Sequence, residues 1–226
     1  MNREFLREKL PNLDEAAYER FETYYHRLIE TNKIMNLTAI TEEKEVVEKH
    51  FADSLGALAY LGENSRCIDV GTGAGFPGVP LLIARPTLQM TLADSLQKRL
   101  NFLEGLLKEL GLKADIVHGR AEELGQNKLY RERYDFALSR AVANLPVLLE
   151  LTTPFVKVGG TAIAYKGKAE EEVAAAKSAA FLLHVKLETA PLPSEIGERC
   201  LVLAKKTAPT PKTYPRRPGT PAKKPL

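Results

Sequence analysis

Asp69-Val70-Gly71-Thr72-Gly73-Ala74-Gly75-Phe76-Pro77-Gly78 follows directly on the apolar run of residues 67–70. A short apolar run that ends in closely spaced glycines reads as a buried strand feeding a turn. Glycine has no Cβ and accepts positive φ, so the backbone of such a turn can come close to a ligand. The stretch therefore predicts a strand whose carboxyl end meets a nucleotide-like molecule. Gly73-Ala74-Gly75-Phe76-Pro77-Gly78 also has the G-x-G-x-x-G spacing of dinucleotide-binding folds, so the loop alone leaves the ligand open. Asp69 favours S-adenosylmethionine (AdoMet), because its carboxylate precedes the first glycine by two residues and can meet the cationic methionine part of that cofactor.

Working outward, strand-like runs alternate with helical ones at residues 67–70, 90–93, 114–117, 135–138, 161–165, 184–188 and 199–204. Helix-length segments such as 96–111 and 142–156 supply the crossovers that parallel strands require. The last two runs are joined by residues 189–198, rich in Pro and Gly and without helical period, which suits an antiparallel hairpin. The chain thus reads as α/β, with a seven-stranded, mostly parallel sheet and an antiparallel last strand. That arrangement resembles the Rossmann-like class I fold of AdoMet-dependent methyltransferases and counts against a dinucleotide dehydrogenase.

Ahead of this sheet, Ala17, Phe21, Tyr24, Tyr25 and Leu28 form one helical stripe, and Val47, Phe51, Ser54, Leu55 and Leu58 another. Asn12 with Glu15 has capping-box spacing, and Thr41 is placed to cap the second helix. Residues 1–62 are expected to be a helical extension, 63–206 the AdoMet-binding domain, and 207–226 a basic, Pro-rich tail.

The chain has 226 residues, enough for one α/β domain plus a small extension, and 44% hydrophobic content is ordinary for a globular protein. Neither a membrane-spanning run nor a signal-peptide core is present, which predicts a cytoplasmic protein. Cys67 and Cys200 have no ligand-spaced partners, so no metal site or disulfide is expected and both read as buried, reduced and structural. Seven Lys and Arg and no Asp or Glu lie in residues 205–226, so a net +3 overall leaves −4 for the remainder. Six prolines in the same segment suit an extended arm that meets phosphates.

Ligands of doubly wound sheets bind beyond the carboxyl ends of the strands. There the sequence places Asp94-Ser95, where a carboxylate accepts from ribose hydroxyls; His118-Gly119-Arg120-Ala121-Glu122, beside an adenine; Ser139-Arg140-Ala141; and Tyr165-Lys166-Gly167. His50, Asp53 and Ser54 share one helical face that can close over the site.

Taken with Asn36-Leu37-Thr38 and Tyr214-Pro215-Arg216-Arg217-Pro218-Gly219, these motifs resemble the bacterial ribosomal RNA small subunit methyltransferase G family, also called glucose-inhibited division protein B. The resemblance runs along nearly the whole chain. It implies AdoMet-dependent methylation of guanine N7 in the 530-loop region of 16S ribosomal RNA, within the 30S subunit or a precursor. It implies cofactor contacts at Gly71, Phe76, Ala121, Glu122 and Arg140, beside Asp69, Gly73, Asp94 and Ser95, which the glycine loop and strand ends already place at the cofactor, and the fourth strand end directs Arg140 at the reaction site. RNA contacts are expected at Asn36, Thr38, His50 and Asp53 and, from their charge, at Lys166, Arg216 and Arg217, and a monomer is the default. Two other readings stay open: an AdoMet-dependent methyltransferase with another acceptor, and a non-catalytic RNA-binding assembly factor.

Overall fold

A computed structural model describes residues 1–194 and 197–226. Helices α1 (Arg3–Lys9), α2 (Glu15–Met35), α3 (Glu43–Val46) and α4 (Asp53–Leu55) precede the sheet. The strands are β1 (Arg66–Val70), β2 (Gln89–Asp94), β3 (Asp115–His118), β4 (Tyr134–Arg140), β5 (Val156–Lys166), β6 (Val185–Leu192) and β7 (Arg199–Lys206). Between and after them lie α5 (Gly78–Ala84), α6 (Gln97–Leu110), α7 (Ala121–Leu124), α8 (Leu145–Thr152), α9 (Glu170–Ala175), α10 (Lys177–Leu182) and α11 (Thr220–Lys223).

The strand order is β3-β2-β1-β4-β5-β7-β6. Strand β7 runs antiparallel to both neighbours, and the other pairings are parallel. All seven expected strands form. The hairpin connection is shorter than expected because β6 runs on to Leu192, and its positions 195 and 196 lie outside the described residues.

The period-two alternation of β7 shows how the sequence is divided between two cores. Leu201 and Leu203 face the layer that holds α2, α5 and α6, whereas Val202 and Ala204 face the layer of α8 and α10. Central strands are apolar on both faces, as parallel strands covered by helices must be. The N-terminal extension is not a separate body: Leu6, Phe21, Tyr24, Leu28, Val47 and Phe51 are fully buried in the same cluster as Leu92 and Leu138.

Two helix starts differ from expectation. Asp14, not Asn12, caps α2, its Oδ1 accepting from Ala17 N at 2.7 Å, while Asn12 sits in the preceding turn with φ 67°. Thr41 does not cap α3; Glu42 occupies that position without a side-chain bond, and Glu43 is tied from outside by Asn2 N at 2.6 Å. The second stripe also does not form one α-helix. A π-helical turn spans Val47–Ala52, between α3 and α4. Such widened turns concentrate at functional sites, and this one carries His50.

Cys67 is buried as expected, but Cys200 is half-buried, its Sγ 3.0 Å from Gly167 O. Among the described residues no helix is long and apolar enough to cross a membrane.

Candidate active site

The carboxyl ends of β1, β2 and β4 and the turn after β3 border a cavity of about 340 Å³. Gly71, Asp94, Ser95, Ala121 and Glu122, all expected at the cofactor, line it together with Val142. Its volume falls within the usual range for small-molecule sites. A larger cavity of about 1010 Å³, lined by Leu10, Leu13, Leu55, Leu58, Pro86 and Leu192 among others, contains no glycine-loop group.

The glycine loop is tied to its neighbours by its own backbone. Gly71 N and Thr72 N donate to Ala93 O at the end of β2, at 2.9 and 3.1 Å. Gly73 N donates to Asp94 Oδ2 at 2.9 Å, and Leu96 N to Asp94 Oδ1 at 2.9 Å. Arg99 Nη1 also reaches Asp94 Oδ2 at 3.4 Å, so the buried Asp94 keeps one lone pair, on Oδ1. Not every glycine serves a ligand. A Cβ on Gly73 would meet nothing nearer than 3.9 Å, whereas one on Gly75 would strike Tyr24 Oη at 2.7 Å and Val79 Cγ2 at 2.8 Å. Gly75 is there so that α2 can pack on the loop, where Tyr24 Oη donates to Ala74 O at 2.6 Å.

Asp69 is fully buried. Its Oδ2 accepts from Thr72 Oγ1 at 2.7 Å and Gly78 N at 2.9 Å, and its Oδ1 has no partner among the described residues. Burial pushes this carboxyl up to about 6, against the lowering effect of its two hydrogen bonds. A buried carboxylate oxygen without a donor is costly.

Beside the loop a second cluster forms around Arg140, at the end of β4. Its Nη1 donates to Lys49 O at 2.9 Å and Asp53 Oδ2 at 3.1 Å, and its Nη2 lies 3.1 Å from His50 Nδ1. The guanidinium sits 4.9 Å from the Phe76 ring centroid, and the His50 ring stacks on the same phenyl at 4.5 Å. His50 Nε2 is 2.8 Å from Thr38 Oγ1, so Thr38, His50, Asp53, Phe76 and Arg140, all singled out in the sequence, form one contiguous wall. Ser54 shares the helix but is fully buried and turns its hydroxyl to His50 O. Burial first, and then the Arg140 charge, push His50 down to about 4.

The two shifts act oppositely on stability. An unfolded His50 binds a proton near 6.5, so the stability it contributes is full above that pH and is lost as the pH falls towards 4. Native Asp69 holds its proton up to about 6 against 3.8 in the unfolded chain, so its contribution is full below pH 3.8 and lost as the pH rises to 6. Asp69→Asn keeps an oxygen for Thr72 and Gly78 and removes the buried charge. Relative to the unchanged protein it should gain on the order of 2–3 kcal/mol between pH 4 and pH 7. Urea unfolding at both pH values measures this, and an unchanged difference would show that Asp69 is not held neutral by burial.

Two expected RNA contacts are committed elsewhere. Lys166 Nζ donates to Glu172 Oε2 at 2.7 Å and Ala143 O at 2.9 Å, holding the β4–α8 turn. Arg216 donates through N and Nε, at 2.8 and 2.9 Å, to Oε1 of the fully buried Glu150, because a buried carboxylate needs a partner. Asn36 is exposed at the left-handed C-cap of α2, and Arg217 is exposed. Sequence reasoning missed Arg199, whose Nε and Nη2 each reach Asp53 at 2.7 Å. It also missed Glu150, although an acid inside the apolar run Leu145-Pro146-Val147-Leu148-Leu149-Glu150-Leu151 signals a buried pair.

Solved structures share the architecture. A methyltransferase from Pyrococcus furiosus matches with TM-score 0.59 and 12% identity over 83% of this chain and 98% of its own. The 1,6-didemethyltoxoflavin-N1-methyltransferase of Burkholderia thailandensis, solved with 1,6-didemethyltoxoflavin and S-adenosylhomocysteine, matches at 0.58 and 15% over 84% and 90%. Relatives named ribosomal RNA small subunit methyltransferase G align almost end to end. That of Lactobacillus acidophilus is 49% identical over 95% of this chain and 93% of its own length. That of Halalkalibacterium halodurans is 48% identical over 99% and 97%. Residues 17–200 match the family model described as rRNA small subunit methyltransferase G. With the methyltransferase sheet, the strand-end cavity and these relatives in agreement, the chain belongs to the rRNA small subunit methyltransferase G family.

Proposed function

We propose that the protein transfers a methyl group from AdoMet to N7 of a guanine in the 530-loop region of 16S ribosomal RNA. The observation that carries this reading is the pairing of a strand-end cavity, walled by Asp94 and Glu122, with a neighbouring aromatic and cationic wall of Phe76, His50 and Arg140.

The residues fit the cofactor. The unpartnered, buried Oδ1 of Asp69 suits a cationic amino group, and the Cβ-free backbone at Gly73 leaves room for close approach. Asp94 keeps a lone pair on Oδ1 for a ribose hydroxyl, and Ser95, Ala121 and Glu122 border the adenosine end. Bound AdoMet supplies a methyl group on a positively charged sulfur. Guanine N7 has an in-plane lone pair and no hydrogen, so no protein group has to remove a proton. The site agrees: His50 is neutral at neutral pH, and both ring nitrogens are engaged by Thr38 and Arg140. What the chain contributes is alignment and exclusion of water, with Phe76 and Arg140 as a fixed wall. Asn36, Thr38 and Arg217 border the approach of RNA, the buried His50 and Asp53 hold Arg140 in place behind them, and Lys166 and Arg216 act through the segments they hold.

N7 lies on the Hoogsteen edge, which in A-form RNA faces a groove too deep and narrow for side chains. The target guanine must be looped or flipped out. Labelled AdoMet should therefore mark 30S subunits at N7 of a single guanine and leave short duplex RNA essentially unlabelled. Equal labelling of both would refute the flipped-base requirement. Label in another acceptor, or in none, would overturn the assignment in favour of a different methyltransferase or an assembly factor.

A further inference from the structure

The tail expected as an extended arm is folded onto the domain. It starts from Lys206, fully buried, whose Nζ donates to Glu132 Oε1 and Val156 O, each at 2.7 Å. The same Glu132 oxygen accepts from Thr210 N at 2.9 Å. Arg131 donates to Tyr214 O and Thr210 O, both at 2.8 Å, and Gln126 Nε2 to Pro215 O at 2.9 Å. Pro215 is buried, with its Cγ 2.9 Å from where a Cβ on Gly125 would stand. Arg216 pairs with Glu150 and also donates to Lys224 O at 2.8 Å, closing the end of the segment on itself. Gly219 N donates at 2.9 Å to Oε1 of Glu122, a wall of the cofactor cavity.

These anchors use backbone carbonyls, backbone amides and one arginine, and they leave four cations over. Lys212, Arg217, Lys223 and Lys224 are exposed, and the segment holds no acid to neutralise them. The rest of the chain carries net negative charge, which repels RNA, whereas residues 207–226 hold five cations and no acid to attract phosphates. Because Gly219 is held by Glu122, the segment that carries these cations passes beside the cavity in which the methyl donor would sit. A segment already ordered loses less entropy on binding than a free arm.

We propose that residues 207–226 are a pre-folded strap that binds the RNA backbone next to the target base. Lys212, Arg217, Lys223 and Lys224 contact phosphates, and Arg216 is its internal anchor. This inference rests on the RNA-methylating reading above.

The test compares the full-length protein with a variant in which these four cations are changed to Gln, and with a control carrying Lys108→Gln, Lys113→Gln, Lys177→Gln and Lys186→Gln. The control positions are exposed and lie elsewhere on the surface. Binding to 16S RNA is measured from about 50 to 200 mM salt, beside AdoMet affinity and thermal unfolding. The strap variant should bind RNA at least 10-fold more weakly, with a log K against log salt slope shallower by about 3. Its AdoMet affinity and melting temperature should not change, and the control should lose less than about 3-fold. Arg217→Gln alone should take about one unit off the slope. Equal losses in strap variant and control would reduce the effect to net charge and overturn the proposal, as would unchanged RNA binding. Failure of the unchanged protein to methylate any RNA would sink the functional reading instead, while the binding comparison would still decide the role of the strap.

Discussion

Arg140→Met should lower methylation of ribosomal RNA by about 100-fold or more, the scale of loss that follows a displacement of roughly 1 Å at a reacting centre. The substitution keeps an apolar stem over Phe76 but removes the donors to Lys49 O and Asp53 and the contact with His50. Asp53 stays paired through Arg199, so the carboxylate is not abandoned in the interior. The stability cost should therefore be limited to about 2–3 kcal/mol, the value of a charged hydrogen bond or two. With the guanidinium gone, His50 also loses the neighbouring charge that helps hold it neutral, so its pKa should rise towards its ordinary value. Arg140→Lys should recover little, because an ammonium cannot span Asp53, Lys49 O and His50 as a planar fork does. Single-turnover methylation, urea unfolding and the NMR titration of His50 measure the three effects, with AdoMet titration alongside. Unchanged turnover together with unchanged AdoMet affinity would remove Arg140 from the site.

Gly75→Ala should be the most damaging single change in the glycine loop. Its φ of 105° strains any residue with a side chain. The new methyl would sit 2.7 Å from Tyr24 Oη, 2.8 Å from Val79 Cγ2 and 2.9 Å from Leu103 Cδ2. Strain and overpacking each cost about 1–3 kcal/mol, so a loss of about 4 kcal/mol and a fall in melting temperature of roughly 10 °C follow. Gly73→Ala is the contrast. At φ 60° and with open space around it, it should cost only about 1 kcal/mol of stability while impairing AdoMet binding. Calorimetric melting and AdoMet titration of both variants separate packing from ligand approach. A Gly75→Ala protein that melts within about 2 °C of the unchanged chain would show that α2 does not rest on the loop.

The order of the elements was legible because each strand and helix writes its own period into neighbouring residues. The seven strand runs, the crossovers and the closing hairpin are local patterns, and β7 divides its side chains between two cores as alternation requires. The strand-end residues Asp94, Ser95, Ala121 and Glu122 could likewise be placed at a cavity, since doubly wound sheets collect their carboxyl ends in one crevice.

Helix starts were less legible. Asn12, Asp14 and Thr41 all have capping chemistry, and only the turn geometry selects Asp14. Nor does any sequence period announce the π-turn at Val47–Ala52, which carries His50 to Arg140.

The sheet, the loop that meets its first strand and the family of chemistry to look for are all written in local patterns of residues. The tertiary structure alone decided which charges are free to act. Arg140 meets Asp53 across 87 positions, Arg216 meets Glu150 across 66, and Arg199 meets Asp53 across 146. Such pairings depend on how strands and layers stack rather than on spacing along the chain. For the same reason, the cations expected to reach RNA divide in two. Arg216 neutralises a carboxylate that folding withdrew from water, Lys166 is spent on the half-buried Glu172 and a turn carbonyl, and Arg217 with its exposed neighbours keeps its charge at the surface.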